Sequence, residues 1–210
     1  MSATTSGTQG YAEEAEGLIG YYEGIPFIEK HRAVLHLIPD QPSLVLDIGA
    51  GTGADAAWFA DKGHRVVAVE PTEKLREAGR ALHPSAAIQW VDDSLPDLAA
   101  TLRRNQAFDV VMVTAVWMHL DEQERERAMP AVAALLAPCG LLILSLRHGP
   151  VPPGRRMFDV SAGETIALGR GHGLEPVLST NAASVGAINR HAGVTWSRVA
   201  LKKQAETKND

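Results

Sequence analysis

The 210-residue sequence predicts a doubly wound α/β domain. Short runs of apolar residues alternate with segments of helical character, and a glycine-rich turn directly follows the first of these runs. The length fits a single domain, and 45% apolar and 21% charged residues are ordinary for a globular protein. A wholly disordered chain and a coiled coil are therefore excluded.

Strands are predicted for seven short segments. Four of the first five are nearly continuous apolar runs, as expected for strands that are covered on both faces of a sheet. The last segment alternates in polarity and is typical of a strand near a sheet edge. The predicted strands are 43–48, 65–70, 87–91, 108–114, 141–146, 174–180 and 194–202.

Helices are predicted between the strands and ahead of the first one. Residues 11–40 are expected to form a helical cap, with one helix over 11–20 and a second that starts after Pro26 and ends at Pro39. The helices predicted further along are 53–62, 72–82, 95–104, 121–137 and one that begins at Ser161.

The chain is expected to form one domain over residues 11–203, in which the α/β core occupies 43–203. The flanking residues 1–10 and 204–210 are mostly small or polar, and we expect both ends to be disordered.

Charge and composition argue against several functional classes. The net charge is −5, whereas a generic nucleic-acid-binding protein is usually basic, so no nucleic-acid partner is expected. The chain has no apolar stretch of the roughly 20 residues that a membrane helix needs, and its N-terminus lacks the features of a signal peptide. Cys139 is the only cysteine, so no internal disulfide can form. We expect a cytoplasmic protein with no membrane partner, and the histidine spacings indicate no metal site.

The residues 47-DIGAGTGA-54 carry the strongest functional signal. They connect the first predicted strand to a helix, where glycines let the chain turn sharply and let a ligand approach the backbone. Gly49, Gly51 and Ala54 also fit the fingerprint of dinucleotide-binding folds. Glu70 ends the second strand, where a carboxylate can accept hydrogen bonds from a ribose, whether the ligand is a dinucleotide or another nucleoside.

Three features favour a ligand other than a dinucleotide. Asp47 lies inside an apolar strand, where a carboxylate is costly to bury unless it is paired or serves a ligand with an ammonium group. Asp92 or Asp93, after the third strand, could accept a hydrogen bond from an adenine amino group. Finally, the chain leaves little room for a separate substrate domain. A nicotinamide-dependent oxidoreductase that uses the same turn stays as an alternative.

The segment VLDIGAGTGADAAWFADKGHRVVAVEP resembles the first two motifs of the class I S-adenosylmethionine-dependent methyltransferases. The resemblance is strong over residues 43–147. It implies a mostly parallel, seven-stranded sheet with an antiparallel last strand, and direct in-line methyl transfer from S-adenosylmethionine.

The resemblance also implies roles for individual residues. Asp47 and the turn 49–53 would hold the methionine end of the cofactor, and Glu70 would bind the ribose. Asp93 with Ser94 would bind the adenine edge. The whole implied cofactor-binding set is Asp47, Gly49, Ala50, Gly51, Thr52, Gly53, Glu70, Pro71, Leu75, Asp92, Asp93, Ser94, Leu95, Thr114, Ala115 and His119.

Direct methyl transfer requires alignment of donor and acceptor, but no covalent enzyme intermediate. A general base would assist a hydroxyl or thiol acceptor. His119 and His148 are the catalytic candidates because they follow the fourth and fifth strands, whose carboxyl ends face ligands in such sheets. A non-catalytic protein that binds S-adenosylmethionine is a second alternative, because no indispensable catalytic side chain stands out.

The acceptor is predicted from charge. Residues 147–203 carry a net charge of +5, whereas residues 1–146 carry −9. This asymmetry predicts a small-molecule acceptor that is anionic or polar, since arginines can clamp a carboxylate or phosphate. The predicted substrate-binding residues are Tyr22, Trp117, Arg147, Arg155 and Arg156.

Overall fold

The computed structural model describes residues 7–205 of the chain. Its strands are β1 (Leu44–Ile48), β2 (Arg65–Val69), β3 (Ile88–Val91), β4 (Phe108–Thr114), β5 (Leu136–His148), β6 (Leu174–Ala183) and β7 (Thr195–Lys203). Its helices are α1 (Ala15–Glu23), α2 (Phe27–Lys30), α3 (Ala54–Asp61), α4 (Glu73–Leu82), α5 (Ala99–Leu102), α6 (Glu122–Leu135), α7 (Ala162–Arg170) and α8 (Ala187–His191).

The seven strands form one sheet in the order β3-β2-β1-β4-β5-β7-β6. Strands β1 to β5 pair in parallel, and β7 lies antiparallel between β5 and β6. The predicted fold class is therefore confirmed, and the edge position next to β7 is occupied by β6. The strand order reverses between β1 and β4, and such a reversal opens a crevice at the carboxyl ends of the strands, where ligands of α/β sheets bind.

Apolar clusters cover both faces of the sheet, which explains why the central strands are continuous apolar runs. In β1, Leu46 and Ile48 face one cluster, whereas Val45 faces the other. The same alternation separates Val111 from Val110 in β4. Because successive strand residues point to opposite faces, both faces need apolar residues when both are covered.

The N-terminal cap differs from its predicted boundaries. Helix α1 begins at Ala15 rather than at residue 11, and α2 ends at Lys30, well before Pro39. The side chains of Lys30 and His31 both bind Asp55 at the start of α3, and this tertiary contact holds the chain where the helix stops.

Residues 7–25 are named the cap segment below. Disorder is predicted for residues 1–10 and 204–210, and of these, residues 1–6 and 206–210 lie outside the described residues. The remaining N-terminal residues form turns, in which the Tyr11 amide donates a hydrogen bond to the Thr8 carbonyl.

Within residues 7–205, no helix has the length and apolar character that crossing a membrane requires. In the same part of the chain, no group of three histidine, cysteine or acidic side chains is placed to hold a metal ion.

Candidate functional site

A cavity of about 380 Å³ lies at the carboxyl ends of the central strands. Its walls include most of the residues that the sequence assigns to cofactor binding, and the exceptions are Gly53 and Asp92. The predicted residues that line it are Asp47, Gly49, Ala50, Gly51, Thr52, Glu70, Pro71, Leu75, Asp93, Ser94, Leu95, Thr114, Ala115 and His119.

The glycine turn between β1 and α3 needs its glycines for two different reasons. Gly49 and Gly51 have φ angles of +72° and +59°, a left-handed conformation that side chains disfavour. At Gly51 the cavity side of the turn faces Tyr22, whose Cδ2 would lie 3.4 Å from an added Cβ. Gly53 instead packs against Trp90, which an added Cβ would approach to 2.7 Å. Because Trp90 fills the space beside Gly53, this glycine does not line the cavity, and its part in cofactor binding stays a prediction.

Asp47 is a buried acid that reaches the cavity. It is 2% exposed, and among the described residues its Oδ2 atom has no hydrogen-bond partner. Burial raises the pKa of this carboxyl well above its usual range, and the nearby charge of Asp55 raises it further. An unsatisfied buried carboxyl oxygen at a cavity wall is suited to a ligand that brings a positive charge or an N–H donor.

Glu70 connects β2 to the glycine turn. Its carboxylate accepts hydrogen bonds from the backbone amides of Gly51, at 2.9 Å, and Thr72, at 2.8 Å. Burial raises the pKa of Glu70, and these two amide donors partly offset the increase. The carboxylate thus holds the backbone of the turn in place and also forms part of the cavity wall.

The two adjacent acids after β3 have different surroundings. The Asp93 carboxylate accepts hydrogen bonds from the amide and hydroxyl of Thr101, at 2.7 and 2.8 Å, and the residue lines the cavity. The Asp92 side chain is 67% exposed and pairs with Arg76 outside the cavity. The ion pair with Arg76 thus holds the Asp92 side chain away from the cavity, and Asp93 is the one of the two acids that lines it.

His119 is oriented by hydrogen bonds on both sides of its ring. Nδ1 lies 2.7 Å from the Arg156 carbonyl and must donate to it, so Nε2 carries a lone pair. Nε2 lies 3.0 Å from the Tyr11 hydroxyl, which donates in turn. Burial lowers the pKa of His119, because the charged ring would be poorly solvated. The imidazole is therefore neutral near pH 7 and faces the cavity as a proton acceptor.

The second catalytic candidate, His148, does not line the cavity. Its Nε2 lies 2.8 Å from the Ser197 hydroxyl, and its Nδ1 lies 3.6 Å from the Asp159 carboxylate. Strand β5 continues as far as His148. Successive strand residues point to opposite faces, and Arg147 is the one that reaches the cavity. His148 is thus directed away from the cavity, and its catalytic role stays a prediction that this placement does not support.

Three predicted substrate contacts have other surroundings. Trp117 is fully buried in an apolar cluster and does not line the cavity, so its placement does not support the predicted substrate contact. Arg156 pairs with Asp121 and Glu124 beside α6, also outside the cavity, so its placement does not support a substrate contact either. Arg155 does line the cavity, but it is paired with Glu14 at 2.5 Å.

Arg155 also stacks on Tyr11, with its guanidinium carbon 3.9 Å from the ring centroid. Its contacts therefore hold the cap segment in place. Of the predicted substrate residues, Tyr22 and Arg147 line the cavity without an acidic partner among the described residues.

Sequence reasoning missed several residues of the cavity wall. They come from the cap segment, α2, the start of α3, the residue after β6, α8 and β7, and all of them except Asp55 in α3 are distant from the glycine turn along the chain. The alternation of Trp196 and Arg198 in the last strand was the one available signal, because it places both side chains on one face. The missed residues with polar or aromatic side chains include Tyr11, Tyr21, Lys30, Asp55, Ser184, Asn189, Trp196 and Arg198.

Comparison with known proteins decides the family. Residues 45–140 match a family described as a methyltransferase domain. This part of the chain is a methyltransferase domain of class I. The predicted family is thus confirmed, and with it the cofactor class, S-adenosylmethionine.

The methyltransferase domain is similar to several named proteins. It is 32% identical over 111 residues to an uncharacterized methyltransferase of Mycobacterium tuberculosis, a match of 52% of this chain and 42% of the relative. It is 26% identical over 134 residues to rat glycine N-methyltransferase, a match of 54% of this chain and 46% of that enzyme. The chain thus spans less than half the length of these two relatives.

The fold is also similar to that of solved methyltransferases. The 1,6-didemethyltoxoflavin-N1-methyltransferase of Burkholderia thailandensis superposes with a TM-score of 0.72 at 22% identity, over 92% of this chain and 85% of that one. That enzyme was solved with bound 1,6-didemethyltoxoflavin and S-adenosylhomocysteine.

Proposed function

We propose that the chain is an S-adenosylmethionine-dependent methyltransferase that methylates a small-molecule acceptor. The observation that carries the proposal is the meeting of Asp47, the glycine turn, Glu70 and Asp93 at one cavity. The Asp47 oxygen that lacks a partner supports the fit of the cofactor, because the methionine end carries an ammonium group.

The bound cofactor would supply a methyl group activated by a sulfonium, which an acceptor nucleophile can attack in line. The chain's own residues would hold the two reactants and exclude water from the space between them. Asp47 and the amides of the glycine turn would bind the charged methionine end. Glu70 would accept hydrogen bonds from the ribose hydroxyls, and Asp93 would bind the adenine edge.

His119 is proposed as the proton acceptor for an acceptor that must lose a proton. Its Nε2 lone pair already accepts a hydrogen bond from Tyr11, and the Arg156 carbonyl fixes the ring orientation. The lowered pKa keeps the ring neutral and able to take a proton near pH 7. The Tyr11 hydroxyl could relay that proton, because it lines the cavity and is hydrogen-bonded to the ring.

A small acceptor is favoured by the size and the covering of the cavity. Its volume of about 380 Å³, in the range of a small-molecule pocket, is shared by the cofactor and the acceptor in this proposal and so limits the size of the acceptor. Tyr11, Tyr21 and Tyr22 of the cap segment line it. The named methyltransferase relatives include enzymes whose names specify small acceptors, namely glycine and 1,6-didemethyltoxoflavin.

The test is a calorimetric titration of the purified chain with S-adenosylhomocysteine and, separately, with NAD⁺. We expect binding of S-adenosylhomocysteine and no heat from NAD⁺. The reverse preference would identify a nicotinamide-dependent oxidoreductase. Turnover is then assayed with S-adenosylmethionine carrying a labelled methyl group and a pool of small metabolites. Binding without label transfer to any acceptor would favour a non-catalytic binding protein.

A further inference from the structure

Two arginines on neighbouring strands face the same cavity. In the antiparallel pairing of β5 and β7, Arg147 lies opposite Trp196 and Ser145 lies opposite Arg198. Arg147 and Arg198 are therefore diagonal neighbours on one face of the sheet, at a separation that long side chains can bridge. All four residues line the cavity.

Neither of these arginines has an acidic partner among residues 7–205. Arg198 is 4% exposed, its Nη2 donates to the Lys30 carbonyl at 3.0 Å, and its Nη1 has no hydrogen-bond partner. Arg147 is 9% exposed and donates to the Pro150 carbonyl at 2.8 Å. Both guanidinium groups are thus buried with carbonyl contacts but without a counter-charge.

The carboxylate whose charge acts on Arg198 is already engaged elsewhere. Asp55 lies 2.7 Å from the Lys30 ammonium and 2.9 Å from the His31 ring. Burial lowers the pKa of Arg198 to about 10, so the group still carries its charge near pH 7. A buried cation with an unsatisfied N–H is unfavourable unless a partner neutralises it.

We propose that Arg147 and Arg198 form an anion-binding subsite that receives a carboxylate or phosphate group of the methyl acceptor. The subsite rests on the proposed function, since it assigns the acceptor end of the same cavity. A planar guanidinium binds either anion through paired N–H donors, and two such groups would fix the orientation of the acceptor.

The other walls of the subsite suit the remainder of a small polar molecule. Asn189 donates a hydrogen bond to the Tyr21 hydroxyl at 3.0 Å, and both side chains line the cavity. The centroid of the Trp196 ring lies 5.3 Å from the guanidinium carbon of Arg198, and the ring offers an apolar surface. Gly186 lets Tyr21 come close, because an added Cβ would lie 2.5 Å from the tyrosine hydroxyl.

The experiment titrates the full chain, saturated with S-adenosylhomocysteine, with benzoate, phenyl phosphate and the neutral isostere benzamide. We expect benzoate or phenyl phosphate to bind about tenfold or more tightly than benzamide, because only the anions neutralise the two arginines. The tighter of the two anions identifies the group on the acceptor. Equal binding of benzamide and both anions would overturn the proposal without any variant.

Variants locate the subsite. Arg198→Gln and Arg147→Gln are each expected to weaken the preferred anion by about tenfold or more and to leave benzamide unchanged. The matched control is Arg170→Gln, which changes an exposed arginine paired with Glu175. Unchanged anion binding in both cavity variants would overturn the assignment, and Arg147→Gln alone decides it if Arg198→Gln does not fold.

The same titrations separate this inference from the proposed function. If S-adenosylhomocysteine does not bind, the proposed function fails, and the anion titrations are repeated on the ligand-free chain. Selective anion binding there still supports the subsite, whereas equal binding of benzamide contradicts it. If S-adenosylhomocysteine binds and the anions do not, only the subsite is wrong.

Discussion

The substitution Glu70→Gln tests the central contact of the cofactor site. In the ligand-free chain, the Glu70 carboxylate accepts hydrogen bonds from the amides of Gly51 and Thr72. A glutamine keeps the shape and one carbonyl oxygen, but it places an NH₂ group against one of the two amide donors. The variant therefore loses one acceptor for the turn and the negative charge that faces the ribose.

The size of the effect follows from the value of hydrogen bonds to charged groups, about 1.5–3 kcal/mol each. Loss of one such bond to the ligand corresponds to an increase in Kd of about 10- to 150-fold. The contact between the glutamine NH₂ group and a backbone N–H of the turn should also lower the free energy of unfolding by about 1–3 kcal/mol, which corresponds to a decrease in Tm of about 2–12 °C.

The assay is calorimetry with S-adenosylhomocysteine near neutral pH, together with thermal unfolding of the ligand-free variant. Glu77→Gln is the control, because Glu77 is an exposed residue of α4, the helix that follows Glu70 along the chain, and its substitution should leave both values unchanged. A Glu70→Gln variant that binds within about twofold of the parent would refute the assignment, since a contacting carboxylate contributes more than that.

Three further predictions concern packing, pH dependence and the cap segment. Gly79→Ala should lower Tm by about 2–12 °C, because its Cβ would lie 2.3 Å from Trp90, whereas Gly17→Ala in an open helical position should not lower it. Asp47→Asn should make the free energy of unfolding less dependent on pH. Because the pKa of Asp47 is raised in the folded state, the parent loses stability as pH rises from the unfolded-state pKa of this carboxyl towards its folded-state pKa. Parallel plots of stability against pH for the parent and the variant would contradict this. His119→Gln should accelerate hydrogen exchange in the cap segment, whose tyrosine it anchors, and unchanged exchange would show that the anchor is elsewhere.

The sequence predicts the sheet better than it predicts the helices. Strands β1, β2 and β4 were expected within one residue of their ends, because a strand covered on both faces must be apolar throughout. The helix expected over 95–104 is much shorter, since Leu98 has a φ angle of +46° and α5 begins only after it. Such a backbone angle follows from tertiary packing and has no local signature in the residue types.

The cofactor-binding half of the site could be predicted from the sequence because its residues follow the ends of strands within one stretch of the chain. The acceptor half could be predicted only in part: Tyr22 and Arg147 do line the cavity, but Arg198 reaches it only through the pairing of β7 with β5, across more than forty residues of sequence. Arg155 and Arg156 were the obvious basic pair, yet nearby acids occupy both of them. Whether a charged side chain forms an ion pair depends on residues that are distant in the sequence. Counting charges could therefore not show which arginines lack an acidic partner.

The covering of the glycine turn by the cap segment has a kinetic consequence. The Tyr22 ring packs against Gly51, and Tyr11 is tied to His119 and Arg155. We expect a nucleoside-sized molecule to enter only after this covering has lifted. Under rapid mixing, the observed association rate should therefore level off with rising ligand concentration at the opening rate of the segment. Turnover could then never exceed that rate, however fast the methyl group is transferred.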